Sequence, residues 1–291
     1  MNLERIVQMV VLAVKKLRDP YYHGFAAQMA FYFLMSIVPT VILFTRILEL
    51  DILSQFSPSL VLVKDFLEEY MAKDVAKMVM DMLAVESSGS MNLMFLVIML
   101  TASSKGMFAL MRIANYTLTD GKSTGNGYWR DRLRAMTTVP QTLLTIVFGL
   151  IALVYGELII KLVLATLLAV FNIDYEVNSF WMMLRWPVTM LLYFLMVAYN
   201  YYILPSVRLK FRQVVPGSIF ASVGMLAVTL GYKMYAESVS NYDIIYGSLA
   251  SVVAVMMWFY FISWALVLGI MCNTVWAETD NRQRQSVGKL Y

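Results

Sequence analysis

One cysteine, Cys272, and one histidine, His23, are all that this 291-residue chain has of either type. That excludes a disulfide framework and a Cys/His zinc site. Charge is scarce as well: Asp, Glu, Lys and Arg make up 14% of the residues, against roughly 25% in soluble domains. The shortage is local. No such residue occurs from 20 to 45, 135 to 156, 186 to 207, 213 to 232 or 244 to 277. Each stretch is long enough to cross a ~30 Å hydrocarbon core, which takes about 20 helical residues. With 60% hydrophobic residues and a mean hydropathy of +0.67, the chain is excluded from cytosolic enzymes, disulfide-knit secreted domains and disordered proteins. Catalytic sets are missing too. There is no HExxH, no GxSxG and no pair of carboxylates inside an apolar stretch. Gly121-Lys122-Ser123 ends like a phosphate-binding loop, but Tyr116 stands where the upstream glycine belongs and no strand precedes it, so it reads as a polar turn. No catalytic residue, metal ligand or cofactor is assigned, and an enzyme is not expected.

What is present predicts an all-α, polytopic membrane bundle of six transmembrane helices. Residues 1–24 form a leader whose Leu3, Ile6, Val7, Val10, Val14 and Leu17 recur at helical spacing, with Lys15, Lys16 and Arg18 at the end. Such a segment lies along a membrane surface. It is not a cleavable signal, since the first apolar segment that follows exceeds the about 7–15 residues of a signal core. The membrane domain is 25–276, with spans at 25–47, 91–111, 135–156, 186–204, 214–232 and 247–276, and the tail is 277–291. Pro39 is expected to kink the first span. The apolar run 158–173, broken only by Lys161, either extends the third span, lies at the interface or re-enters. Between the first two spans, residues 48–90 carry 8 acids and 3 lysines, with helical periodicity from 59 to 83. This outer helical segment reads as a hairpin resting on the bilayer or as a lid over a cavity. Six spans permit an inverted repeat, though the two halves show no sequence echo.

Basic residues orient the spans. With the amino terminus inside, 15 Lys and Arg fall in inner segments and 7 in outer ones, leaving Lys105 within the second span. The bias holds at every loop, so both termini are expected in the cytoplasm. The net charge of +4 therefore reports orientation rather than nucleic-acid binding.

Two groups of residues stand out inside the spans. Gly217, Ala221, Gly224, Ala227 and Gly231 put small side chains four apart on the fifth span, the pattern that lets helices approach closely in lipid. On the second span, a straight helix places Thr101, Arg112 and Tyr116 within about 40° of Lys105, while Leu100, Met107 and Met111 face largely the other way. This predicts that Lys105 faces the protein interior across a cavity where an anionic head group could bind. The alternative is that Lys105 snorkels to the inner surface.

Several stretches resemble the YihY/BrkB family of bacterial inner-membrane proteins. The first span reads Ala26-Ala27-Gln28-Met29-Ala30-Phe31-Tyr32 and continues to Ser36-Ile37-Val38-Pro39; the second contains Ser103-Ser104-Lys105-Gly106 and then Asn115. After the fourth come Leu204-Pro205, a basic turn and Val215-Pro216-Gly217. The sixth has Tyr242, Ile245-Tyr246-Gly247-Ser248, Trp258, Tyr260, Leu268-Gly269 and Asn273. Members of that family often carry a glutamate two residues before this asparagine, where the present chain has Met271. The resemblance implies a six-helix protein of the bacterial plasma membrane, multi-pass. It does not imply a settled activity, and the ribonuclease label once attached to the family finds no acidic metal cluster here.

The expected function is a transporter-like protein that binds or moves a lipid or other amphipathic substrate. The alternative is a non-transporting structural or assembly factor of the cell envelope. Candidate substrate-binding residues are Lys105, Thr101, Arg112 and Tyr116, with Ser36 and Tyr246; the structural candidates are Pro39, Gly217, Gly224, Gly231, Gly247 and Gly269. Expected partners are membrane lipids, and envelope proteins or a second copy of the chain; nucleic acid is not among them.

Overall fold

The computed structural model describes residues 3–48, 93–145, 177–207, 209–238 and 249–287. Among the described residues there are eight helices and no strand. They are α1 (Leu3–Leu17), α2 (Tyr21–Leu48), α3 (Leu93–Ser103), α4 (Lys105–Leu118), α5 (128–145), α6 (Val177–Ile203), α7 (Phe211–Ser238) and α8 (Leu249–Val287). The all-helical membrane architecture expected from hydropathy is therefore the one found. Residues 49–90, the second half of the third span, the run 158–173 and the Tyr246-Gly247 pair lie outside the described residues.

Among the described residues two stretches are long and apolar enough to cross a membrane, 211–232 in α7 and 252–280 in α8. A third exists if α3 and α4, bent by 44° at their junction, act as one span. A shorter apolar helix, Pro187–Ile203, forms the second half of α6.

The core is built on α7 and α8. These two helices pack along each other, with α6 against α7 and α2 against α8, and α2 also touches α3 and α4. The faces divide as lipid requires. On α7, Val214, Ser218, Ala221, Ser222 and Met225 are buried, while Ile219, Phe220, Val223 and Leu230 are exposed. An apolar exterior of that kind faces hydrocarbon, so burial alone cannot hold the bundle together and close packing plus polar contacts between helices must.

The α7–α8 crossing supplies both. A Cβ on Gly217 would stand 2.0 Å from the Gly269 carbonyl oxygen, and one on Gly269 would stand 2.7 Å from the Ala221 Cβ. The backbones meet where neither helix has a side chain. Asn273 Oδ1 accepts a hydrogen bond from the Gly217 N–H at 2.7 Å, and the Tyr201 hydroxyl of α6 donates to the Leu266 carbonyl at 2.5 Å. Three helices are thereby joined by groups buried from solvent. Gly224 makes a looser approach, 3.1 Å to the Ala265 Cβ. Gly231 differs: nothing lies within 4 Å of a Cβ built there, so it is not part of the crossing. Pro39 lies inside α2 and is half-buried.

Candidate functional site at the basic end of the bundle

The second predicted span is not straight. Hydropathy reads 91–111 as one helix, but the chain bends at Ser104, between α3 and α4. Ser104 is fully buried and its hydroxyl donates to the Thr101 carbonyl at 2.9 Å. The neighbouring Gly106 lets Phe33 of α2 enter, since a Cβ there would meet the ring at 2.4 Å. The helix wheel that grouped Thr101 with Lys105 assumes one axis, and the bend removes that assumption.

Lys105, the first residue of α4, is exposed. Met111, set largely opposite Lys105 on the predicted wheel, is in the core, together with Ala109. Thr101 and Tyr116 turn to different partners. Thr101 is half-buried; its hydroxyl donates to the Ile98 carbonyl at 2.7 Å, and its own carbonyl accepts from the Arg132 guanidinium of α5. The same guanidinium lies over the Phe108 ring, 5.4 Å from its centroid, a cation–π arrangement. Arg112 is half-buried. Tyr116 points to α1 and α2, where its hydroxyl donates to Asp19 Oδ2 at 2.8 Å among the rings of Tyr21, Tyr22 and Phe25. Ser36 is buried and donates to the Phe33 carbonyl at 3.0 Å. Tyr246 and Gly247 lie outside the described residues.

What the structure does gather is a clasp at the end of α4. The helix stops in a Schellman-type turn: Asp120 adopts a left-handed φ of 50° and the Gly121 N–H reaches the Tyr116 carbonyl at 2.9 Å. Aspartate tolerates that conformation better than most residues. Its carboxylate pairs with the Lys16 ammonium at 2.5 Å, and Glu278 of α8 takes the same ammonium at 3.1 Å. Burial acts to lower the Lys16 pKa, but hydrogen bonds to Asp120 and Glu278 outweigh it and leave the group raised above its ordinary 10.5. The hydrogen bond to Asp19 pushes the Tyr116 phenol up to about 12.

These contacts hold α1 by its basic end and leave its apolar stripe bare. Ile6, Val7, Val10, Val11, Val14 and Leu17 are all exposed. A helix that is pinned through lysine and shows valines outward fits a bilayer surface, as its sequence predicts. Trp129 and Tyr128 at the start of α5 are likewise exposed, as interfacial aromatics are.

The clasp has a pH signature. Both raised groups favour their protonated forms when folded, so their contribution is whole below their ordinary values of 10.5 and 10.0 and is lost as pH climbs through the raised ones. Trypsin cleavage after Arg18 should therefore be slow in the parent at pH 8 and rise, relative to an unstructured peptide with the same site, when cleavage is run at pH 10.5 to 11. The Lys16→Met variant should show the fast relative rate already at pH 8. A relative rate indifferent to both changes means that the clasp does not hold α1.

Buried Asn115 ties two loops together, the one after α4 and the one before α7. Its Nδ2 donates to the Thr124 carbonyl at 3.1 Å and its Oδ1 accepts from the Ser206 N–H at 2.7 Å. Arg134 donates to the neighbouring Pro205 carbonyl at 3.1 Å. Polarity inside an apolar helix was the signal available for Asn115; no sequence pattern pairs it with a residue 91 positions away. Among the described residues no group of three or more His, Cys, Asp or Glu is placed to hold a metal ion.

Comparison with known proteins agrees with this architecture. A family profile described as virulence factor BrkB matches residues 13–289. The ribonuclease-like protein YfkH of Bacillus subtilis is 26% identical over 261 residues, covering 86% of this chain and 88% of that one. A UPF0761 membrane protein of Alteromonas mediterranea is 26% identical over 168 residues, 57% of this chain and 56% of its own. A third, from Pseudoalteromonas translucida, is 31% identical over 68 residues, 23% of this chain and 22% of its own. No solved structure matches. A profile that spans nearly the whole chain settles the family: this is a membrane protein of the BrkB family.

Proposed function

We propose that the protein is a multi-pass transporter of the bacterial inner membrane, with six spans and both termini in the cytoplasm, which binds and moves an anionic lipid. The observation that carries this reading is the bend at Ser104, which presents an exposed ammonium at Lys105. Lys105 lies seven residues from Arg112, roughly 10 Å along the helix. A charge at that depth costs at least ~2.5 kcal/mol on insertion scales unless it meets water, a partner or a head group. Broken helices of this kind line substrate sites in transporters. The basic loops that flank the bend attract anionic head groups electrostatically, and Lys105 offers them a second foothold deeper in the bilayer.

The decisive measurement is translocation of fluorescent anionic phospholipid in vesicles holding the purified protein. The parent should exceed protein-free vesicles, and Lys105→Met should slow it severalfold with an unchanged melting temperature. A parent no faster than empty vesicles removes the transport reading and favours a structural or assembly factor. Orientation is tested separately. A cysteine at exposed Lys122 should resist an impermeant maleimide in intact cells, whereas one at Ser88 should react; the reverse pattern inverts the topology.

A further inference from the structure

A groove of ≈ 260 Å³ lies between α7 and α8, away from the clasp and from Lys105. Gly231, Tyr232, Ala254, Met257, Trp258 and Phe261 are among its lining residues, and the lining is almost wholly apolar. Two polar atoms break that pattern. The Tyr232 hydroxyl and the Trp258 indole N–H are both buried, and neither has a hydrogen-bond partner among the described residues. Tyr232 is 8% exposed, and the two rings stand 6.1 Å apart. A buried donor without a partner is costly, of order 1–3 kcal/mol; the described residues supply no acceptor to either, and a turn of each side chain toward the groove would bring it to one held there. The rim is open: Met257 and Phe261 are exposed, and nothing lies within 4 Å of a Cβ on Gly231.

Depth identifies the acceptor. Arg212 and Tyr232 are separated by 20 helical residues, about 30 Å, which is the thickness of the hydrocarbon core. If the basic end lies at one surface, Tyr232 lies at the level of the other, where the ester carbonyls of phospholipids sit. The groove is also smaller than the ~300–1,000 Å³ of a typical small-molecule site. It has room for an ester and a stretch of chain, not for a head group.

We propose that this groove holds the ester end of one acyl chain of an outer-leaflet phospholipid, its carbonyl accepting from Tyr232 and Trp258. The inference rests on the lipid reading and the orientation given above, but not on transport. Its test uses the full-length protein in vesicles containing a phosphatidylglycerol with a photoactivatable group near the top of one acyl chain, followed by mass spectrometry of the labelled peptides. Label should enter 228–235 and 254–261. It should fall about fivefold in Tyr232→Phe and again in Trp258→Phe. An ether-linked analogue, which lacks the carbonyl, should label the parent as weakly as the double variant does. Gly231→Leu fills the groove from its open side and should abolish the label while leaving the melting temperature near that of the parent. Equal labelling of all variants by both lipids would reduce the groove to ordinary lipid contact, and label found only elsewhere would mean that protein fills it. Either result overturns the proposal. Translocation is scored in the same vesicles: groove labelling without translocation sinks transport alone, and translocation without groove labelling sinks the groove alone.

Discussion

Gly217→Leu should leave little or no folded protein in detergent. The new Cβ would fall 2.0 Å from the Gly269 carbonyl oxygen and 2.5 Å from Asn273 Cγ. Backbone cannot swing aside as a flexible side chain does, so α7 and α8 must separate. Separation breaks the Gly217 N–H bond to Asn273 and loosens the approach at which the Tyr201 hydroxyl reaches α8. The loss should exceed the ~1–3 kcal/mol typical of overpacking a core. Gly269→Leu should match it, since a Cβ there meets the Ala221 Cβ, the Gly217 carbonyl oxygen and the Tyr201 hydroxyl, all at 2.7 Å. Gly24→Ala and Gly231→Ala, where nothing lies within 4 Å, serve as controls and should melt like the parent. The readout is the monodisperse fraction on size-exclusion chromatography together with the melting temperature. A Gly217→Leu protein that elutes and melts normally would show that the crossing is not what joins these helices.

The contrast between Gly217 and Gly231 shows what the sequence could and could not reveal. Both stand in small-residue pairs four apart on the same apolar span, and spacing alone treats them alike. Only Gly217 is opposed by a second glycine, and that partner is 52 residues away on another helix. Hydropathy located the apolar runs of α7 and α8, but each helix outlasts its run: α7 continues to Ser238 and α8 to Val287, and Glu278 near the end of the 252–280 stretch holds Lys16. The bend at Ser104 was invisible for a related reason. No proline marks it, and Phe33, which fills the space beside Gly106, comes from another helix. Periodicity gave the leader as an amphipathic helix because its apolar stripe is exposed and no partner among the described residues interrupts the spacing.

Asn115→Leu should cost about 2–4 kcal/mol and free both loops that it joins. The side chain is 1% exposed and spends both ends on backbone: the Thr124 carbonyl at 3.1 Å and the Ser206 N–H at 2.7 Å. Leucine satisfies neither, and each stranded group carries a penalty of about 1–3 kcal/mol, reduced where water reaches it. The loops involved carry Lys122 and Lys210, part of the basic surface to which an anionic head group would first bind. Limited proteolysis reads the effect directly, with faster cleavage expected in 119–127 and in 204–210. Asn115→Asp separates the two bonds. It keeps an oxygen for the Ser206 N–H but loses the donor to Thr124, so cleavage should rise in the first loop and stay low in the second. Cleavage of both loops at the parent rate in Asn115→Leu would remove Asn115 as their common support. If instead the loops open and anionic-lipid binding weakens with them, while Lys105→Met leaves the loops closed, the head group is met in two places: first on a surface that Asn115 holds in shape, then at the lysine beside the bend.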